Sequence, residues 1–425
     1  MLVKLGNLIT GTIDYRGKTP KKFDYGIPVI SAANIKGGKI VSDGKFVSKE
    51  YYDKWTTRGY IKPGDILITT EAPVGEIAVV PDDQTYLTSR RVFALQIDPN
   101  KADETFIYYF LRTEGVLKYF ESLSHGATVP RIYKDDILKL EVFLPDLPTQ
   151  KKIASILSAY DDLIENNNQR IKLLEEMAEE IYKEWFVRLR FPGYKATKFF
   201  DKAGNEVPHD TTEALPEGWE LCRIDDLLSD IGKGPTLNYE ISDKDSKPVI
   251  NQSCVRNGVI ELQKVLYAKD ITKNKNHCYL KKYDVLINSM GDGTLGRVSR
   301  NVQFEDNQYI IHNCITYLRA STNYSQFLLY YLIKQYIPYY ISIAQGSTGQ
   351  STLKKELVGK IKTLKPNNEL LLIFDKIIEP IWKKIGILKE KNQILQKTRD
   401  LLLPRLISGK LSVENIEIEQ NLMNV

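Results

Sequence analysis

The sequence predicts an α+β protein with an internal pseudo-twofold repeat: two similar mixed units, each followed by a long helix. Two observations carry this. First, four motifs recur in order at a nearly constant offset. IPVISAANIKGGKI (27–40) matches KPVINQSCVRNGVI (247–260) at 220, and YIKPGDILITT (60–70) matches YLKKYDVLINS (279–289) at 219. FIYYFL (106–111) matches FLLYYL (327–332) at 221, and SHGAT (124–128) matches AQGST (344–348) at 220. Second, each half ends in a run whose apolar residues alternate four and three apart, the a/d seam of a coiled coil. A repeat unit of half the chain marks domain duplication, not a solenoid.

The elements follow in order. Residues 1–146 form the first unit. DILITT is a short buried strand led in by a KPGD turn, and Gly17 and Pro20 mark an early loop. FIYYFLRTEGVLKYFESL has helical spacing and is expected as one helix. The first long helix covers 147–190, with Ile153, Leu157, Tyr160, Ile164, Asn167, Ile171, Leu174, Ala178, Ile181 and Trp185 in its seam. Residues 191–214 lack periodicity and hold Pro, Gly, Asn and Asp, which reads as a linker. The second unit, 215–366, repeats the plan, with Gly232, Gly234 and Pro235 in the matching loop and a break expected at Pro338. The second long helix, 367–409, carries Phe374, Ile378, Ile381, Ile385, Leu388, Asn392, Leu395, Arg399, Leu402 and Leu406. Pro380 is expected to kink it or delay its start, and Pro404 to kink or close it. Gly409 suits a helix C-cap, and 410–425 is a tail. Asn167 and Asn392 stand at non-equivalent seam positions; buried asparagines there fix coiled-coil register at a cost in stability. If the helices pair antiparallel, the repeat becomes pseudo-twofold.

Composition bounds the function. The 425 residues exceed one core, and 42% hydrophobic with 27% charged residues fits neither a disordered chain nor a membrane protein. No apolar run nears the ~18 residues of a membrane span, and MLVKLGNLIT is too short and weakly charged for a secretory signal. Cys222, Cys254, Cys278 and Cys314 form no CxxC pair, which points to a reducing, cytoplasmic setting. Of the net charge of +5, residues 151–190 (−1) and 369–410 (+4) hold +3, leaving +2 for everything else. Nucleic-acid binding by the units must therefore rest on local patches. Gly11 to Gly17-Lys18-Thr19 is one residue too long for a phosphate-binding loop, and Pro20 follows where a helix should start. His125, His209, His277, His312 and the cysteines match no zinc spacing, so no metal site is expected. There is no GxGxxG after a strand, no GxSxG and no NPPY. The chain reads as one that binds and organises, without catalysis of its own.

Several segments resemble the specificity subunit of type I restriction–modification enzymes. LPEGWELCRI (215–224) resembles the opening of that family's recognition domain. GKTP (17–20), TEAPVGEIAVV (70–80) and GDGTLGRVS (291–299) resemble its loops. SHGATVPRIYKDDILKLEVFLPDLPTQKKIASIL (124–157) resembles the join between recognition domain and spacer helix. IYKEWFVRLRFPG (181–193) and LLLPRLISGKL (401–411) resemble the spacer-helix ends. LKPNNELLLI (364–373) departs from the family, lacking the LPxLxxQ form of 144–150, and the first unit lacks the LPEGW leader. The resemblance implies two target recognition domains, each reading half of a split, asymmetric sequence in double-stranded DNA, separated by an antiparallel coiled-coil spacer. It implies two modification (methyltransferase) subunits carrying S-adenosylmethionine, up to two restriction (motor/nuclease) subunits using ATP and Mg, and no membrane partner. The other reading, from the residues alone, is a structural adaptor with two protein-binding ends. Divergent loops on similar units favour a reader of two different half-sites.

Arg and Lys suit guanine edges and Asn and Gln suit adenine. Candidate contacts in the first unit are Lys18, Lys21, Asn34, Lys36, Thr69, Thr70, Arg90, Arg91, Thr128 and Arg131. In the second they are Lys233, Asn251, Gln252, Arg256, Asn288, Ser289, Arg297, Asn313, Thr348 and Gln350. Tyr108, Tyr109, Phe110, Tyr330 and Tyr331 lie at helical spacing among aliphatic residues and read as core, not as base-stacking platforms.

Overall fold

The computed structural model describes residues 1–15, 20–41, 43–124, 130–237, 239, 246–256, 258–269, 278–291, 293–344, 351–414 and 416. It divides into two compact units, Met1–Glu165 with Gln393–Val425, and Asn166–Asn392. Among the described residues, no helix is long and apolar enough to cross a membrane.

The first unit is built on a four-stranded antiparallel sheet in the order Ile9–Asp14, Val92–Ile97, Ile66–Thr69, Ile77–Val79. Alternation along its strands sorts two cores. Ile66, Ile68, Phe93 and Leu95 pack toward Phe106, Ile107 and Phe120 of the helices. Leu67, Ala94, Ala78 and Ile13 pack toward Val29, Ile30 and Trp55. There Ile27–Ile30 lies between the antiparallel strand Phe46–Val47 and the parallel strand Leu87–Thr88. Leu2–Lys4 pairs with Glu141–Phe143, which leads directly into the first long helix.

The second unit repeats this plan. Its four-stranded sheet runs Leu228–Lys233, Ile315–Ala320, Val285–Asn288, Val298–Arg300. Ser246–Ile250 lies between antiparallel Leu266–Lys269 and parallel Ile310–Ile311, and Glu220–Arg223 pairs with Lys362–Lys365. The duplicated α+β architecture expected from the motif offsets is thus present strand for strand.

Three local expectations change. The helix expected over 106–123 is two, Glu104–Leu111 and Glu114–Ser122. Thr113 between them is extended and its hydroxyl donates to the Phe110 carbonyl at 2.8 Å. The second long helix, Asn368–Ile407, starts well before Pro380 and runs on past Pro404, so Pro380 does not delay it and Pro404 does not stop it there. An interior proline costs roughly 3 kcal/mol. Pro380 is exposed, while Ile378, Trp382 and Ile385 around it are fully buried and hold the helix across it. The segment 191–214 is folded: Phe199–Phe200 pairs with Glu206–Val207 and Leu215–Pro216, over Phe191 and Trp219. Pro338 behaves as expected, lying in the first turn of Ile337–Ile343 after Gln326–Gln335 ends.

The first long helix is Leu147–Tyr182, continued by a π turn, Lys183–Val187. Within each unit the two long helices run antiparallel. In the first, Ile153 and Leu157 share a core with Leu406 and Leu402. In the second, Asn167 Nδ2 donates to Asn392 Oδ1 at 2.9 Å, and Asn392 Nδ2 donates to Asn168 Oδ1 at 2.9 Å. Each long-helix pair also meets its α+β part through a shared carboxylate. In the first unit, Asp161 accepts from Tyr109 at 2.6 Å, pairs with Arg399 and lies 3.9 Å from Arg112, which stacks on Tyr108. In the second, Glu175 lies 3.3 Å from Arg300 and 3.6 Å from Lys389. Arg300, 3% exposed, stacks on Tyr330 and on Trp382. Trp382 lies one residue beyond the expected seam position Ile381, and its indole N–H donates to Tyr331 at 3.1 Å.

Burial lowers Lys389 to a pKa of about 8, against the opposing pull of Glu175. The folded pKa is below the unfolded one, so the unfolded chain binds more protons between about pH 8 and 10 and stability from this group rises across that window. Lys389→Met is expected to stabilise the chain near pH 7. It is also expected to flatten that rise relative to the parent, as read from urea midpoints at pH 7, 8, 9 and 10.

Candidate nucleic-acid interface

The loops beside the parallel strand pair have the same backbone hydrogen bonds in both units. Ser89 N donates to Ile30 O at 2.8 Å, as His312 N does to Ile250 O at 3.0 Å. Thr70 N donates to Arg91 O at 2.9 Å, as Ser289 N does to Cys314 O at 2.8 Å. Gly75 N reaches Thr69 O at 2.9 Å, and Gly296 N reaches Asn288 O at 2.8 Å. Ile132 N reaches Thr70 O at 3.1 Å, and Leu353 N reaches Ser289 O at 2.9 Å. Position by position, Ser89, Arg90 and Arg91 therefore correspond to His312, Asn313 and Cys314. The backbone is common and the side chains differ.

In the first unit, Lys22, Lys45, Arg90 and Arg91 line one groove with Ser31, Asn34 and Ser89. Arg90 is exposed, and Arg91 pairs with Glu71 at 3.2 Å. Lys45 pairs with Asp43 and holds its carboxyl below the usual range. Lys21 and Lys36 are exposed, and Arg131 lies 5.9 Å over Tyr133. Lys22 and Lys45 were not among the sequence candidates, although their charge beside the repeated IPVIS strand was the available signal. Three candidates prove internal. Asn34 is 2% exposed; its Oδ1 accepts from Ser31 N at 2.9 Å and its Nδ2 donates to Val41 O at 2.8 Å. Thr69 is fully buried, its hydroxyl accepting from Glu76 N at 2.9 Å, and Thr70 is 5% exposed. The side chains of Asn34 and Thr69 are thus bonded within their loops. Lys18 and Thr128 lie outside the described residues.

In the second unit, Asn251, Asn288 and Ser289 are buried and bonded in the same way. Asn251 Oδ1 accepts from Ser253 N at 2.8 Å, Asn288 Nδ2 donates to Gln252 O at 2.9 Å, and Ser289 Oγ bonds Thr316 Oγ1. All three are at most 3% exposed. Gln252 is exposed. Arg256 faces Glu261 at 3.7 Å, and Arg297 donates to Gly293 O at 2.8 Å. Asn313 donates to Thr236 Oγ1 at 2.7 Å. Lys233 is half-buried, its ammonium donating to Leu353 O at 3.3 Å, and burial pulls its pKa down. Thr348 and Gln350 lie outside the described residues. Sequence reasoning missed His312, Cys314 and Tyr239. Cys314 Sγ donates to Gln252 Oε1 at 2.9 Å and lies 3.1 Å from His312 Nδ1. Tyr239 stacks on His312 at 5.4 Å, and burial lowers the His312 pKa.

Charged and amide groups on a fixed backbone suit recognition of a polar polymer edge. The type I restriction modification DNA specificity domain family matches residues 2–176 and 216–394. A specificity subunit of the type I restriction enzyme MjaIX from Methanocaldococcus jannaschii is 26% identical over 358 residues, covering 83% of this chain and 79% of that protein. That of HindI from Haemophilus influenzae is 25% identical over 406 residues, covering 83% and 87%. The crystal structure of a type I restriction-modification system S subunit from M. genitalium matches with a TM-score of 0.57 at 17% identity, over 96% of this chain and 95% of that one.

The internal role of Asn34 has a direct test. Asn34→Ala removes the side-chain bonds to Ser31 and Val41, and is expected to lower unfolding stability by about 1–3 kcal/mol. Lys36→Ala, two residues on and exposed, is expected to stay within roughly 0.5 kcal/mol of the parent. Thermal and urea unfolding of the two variants give the comparison.

Proposed function

Since the chain belongs to the type I restriction–modification DNA specificity family, we propose that its two units are the readers of one split DNA site. The first recognises one half through the Lys21–Lys22, Lys36, Arg90–Arg91 and Arg131 surface. The second recognises the other through Gln252, Arg256, Arg297 and Asn313. The observation that carries this reading is the matched backbone of the two loop sets with unlike side chains. Two copies of one scaffold with different side chains suit two different half-sites, whereas an adaptor binding like partners would keep both ends alike.

The long helices then act as the spacer that sets the gap between the half-sites, and their buried Asn167–Asn392 pair favours one register. A pair of asparagines bonded to each other is satisfied only when these two layers coincide, so a slip of one heptad leaves both amides buried without partners. The chain itself carries no catalytic step. Methyl transfer to adenine from S-adenosylmethionine belongs to two modification subunits, and ATP- and Mg-dependent translocation and cleavage to up to two restriction subunits, all in the cytoplasm. A charge of +2 outside the helix seams is small for a large phosphate footprint, so tight and selective binding needs the modification subunits to enclose the duplex.

Exchange of residues 1–146 for the first domain of another specificity subunit tests the reading. The expected result, from sequencing methylated sites of the reconstituted complex, is a changed base sequence in one half only, with the other half and the gap retained. A change in both halves refutes independent readout. Salt-titrated duplex binding, with and without modification subunits, separates a DNA reader from a protein adaptor.

A further inference from the structure

Among the described residues, Gln252 is an exposed amide of the second unit's loop set whose backbone and side chain are both held by buried neighbours. Its carbonyl oxygen accepts from Asn288 Nδ2 at 2.9 Å, and Asn288 is fully buried. The preceding residue, Asn251, makes a side-chain turn with Ser253 N at 2.8 Å, and Cys254 N closes onto Asn251 O at 3.0 Å. The side chain itself is fixed by the buried thiol of Cys314, which donates to Oε1 at 2.9 Å. Cys314 is in turn next to His312 Nδ1 at 3.1 Å, and the His312 ring stacks on Tyr239. Cys314 is 4% exposed, and burial raises its pKa to about 11, so the sulfur keeps the proton that it donates.

The consequence is a directed amide. A free glutamine presents its oxygen and its NH2 group with equal ease. Here the oxygen of an exposed side chain is tied to the thiol, which leaves the Nε2 group as its donor. In the major groove a donor meets an acceptor, and the purines offer one in common, N7. An exposed side chain that is already oriented also loses less rotamer freedom on binding than a free one. We propose that Gln252 is a specificity-determining residue of the second recognition domain, donating to N7 of a purine, and that Cys314 is its positioning residue. This rests on the DNA-reading function proposed above. The first unit lacks the device: Arg91 stands at the position of Cys314, so the device belongs to one half-site.

The test uses the full chain reconstituted with its modification subunits on a randomised duplex library, read by sequencing methylated products. If the parental complex selects no two-part target, the DNA-reading function fails, and this inference with it. If it does select one, Gln252→Ala is expected to relax preference at one purine position of one half by roughly tenfold, with the other half unchanged. Cys314→Ala should relax that same position. Cys314→Ser, which keeps a donor, should restore most of the preference. Replacing the purine there by its 7-deaza analogue should weaken the parental complex and leave Gln252→Ala unaffected. Unchanged preference at every position in Gln252→Ala overturns the proposal, as does equal sensitivity of parent and variant to the 7-deaza base. If Cys314→Ala fails to fold, Gln252→Ala and the modified base still decide the reading role. If Cys314→Ser relaxes the position as fully as Gln252→Ala does, the positioning role is overturned.

Discussion

Each unit depends on one carboxylate of the first long helix that serves two cations. Asp161 takes Arg112 from its α+β part and Arg399 from the second helix; Glu175 takes Arg300 and Lys389. A buried charge without a partner is expensive, and losing the shared carboxylate, which strands its cations, costs about 3–5 kcal/mol. The carboxylate is therefore satisfied only when both helices and the α+β part are in place together. The aromatic residues beneath make the arrangement directional. Arg112 stacks on Tyr108 and Arg300 on Tyr330 and Trp382, so the guanidinium planes are set by rings rooted in the core. Apolar packing alone would hold the helices to the sheet, but a smooth apolar contact tolerates sliding; a hydrogen-bonded charge does not.

Given that footing, the loops inherit a fixed backbone. The shared bonds from Ser89 and His312, Thr70 and Ser289, and Gly75 and Gly296 close both loop sets onto their sheets. Buried polar side chains complete the closure, Asn34 and Thr69 in one unit and Asn251 and Asn288 in the other. This separates two tasks that a sequence presents as one. Polar residues inside the loop set maintain its shape, and those on its rim are free to vary with the half-site. Side chains can then diverge between the copies without loss of the scaffold, which is what a duplicated reader of an asymmetric site requires.

The repeat, the long helices and their seam were legible because each is a periodic or recurrent pattern, and periodicity survives in sequence as spacing. Ile153, Leu157, Ile378 and Ile385 were placed by the four–three rhythm and are buried. Trp382 was not, because it packs against Phe327, Tyr330 and Tyr331 of the helix Gln326–Gln335, off that rhythm. The unbroken course through Pro380 was illegible for a related reason. The cost of proline is local and visible, whereas the packing of Ile378, Trp382 and Ile385 that offsets it is tertiary. The reading surface was the least legible part. Asn34 and Asn288 have the residue type of a base contact, and only burial shows that their amides are spent inside the fold. Cys314 carries no signature of recognition at all, and its bond to Gln252 crosses 62 residues of chain.

The same facts explain how a chain with so little excess charge can serve as a reader. Phosphate contacts supply affinity but no sequence information, while base contacts supply the reverse. A strongly basic unit would bind any duplex and spend its time on wrong sites. Here several cations near the loops are already matched within the chain: Arg91 with Glu71, Lys45 with Asp43, Arg256 with Glu261. Such pairing lowers the field that attracts DNA indiscriminately and holds each guanidinium or ammonium in a defined direction. A cation that must leave or share an acidic partner to meet a base gains only where the base offers a good acceptor, so the acid acts as a threshold against poor sites.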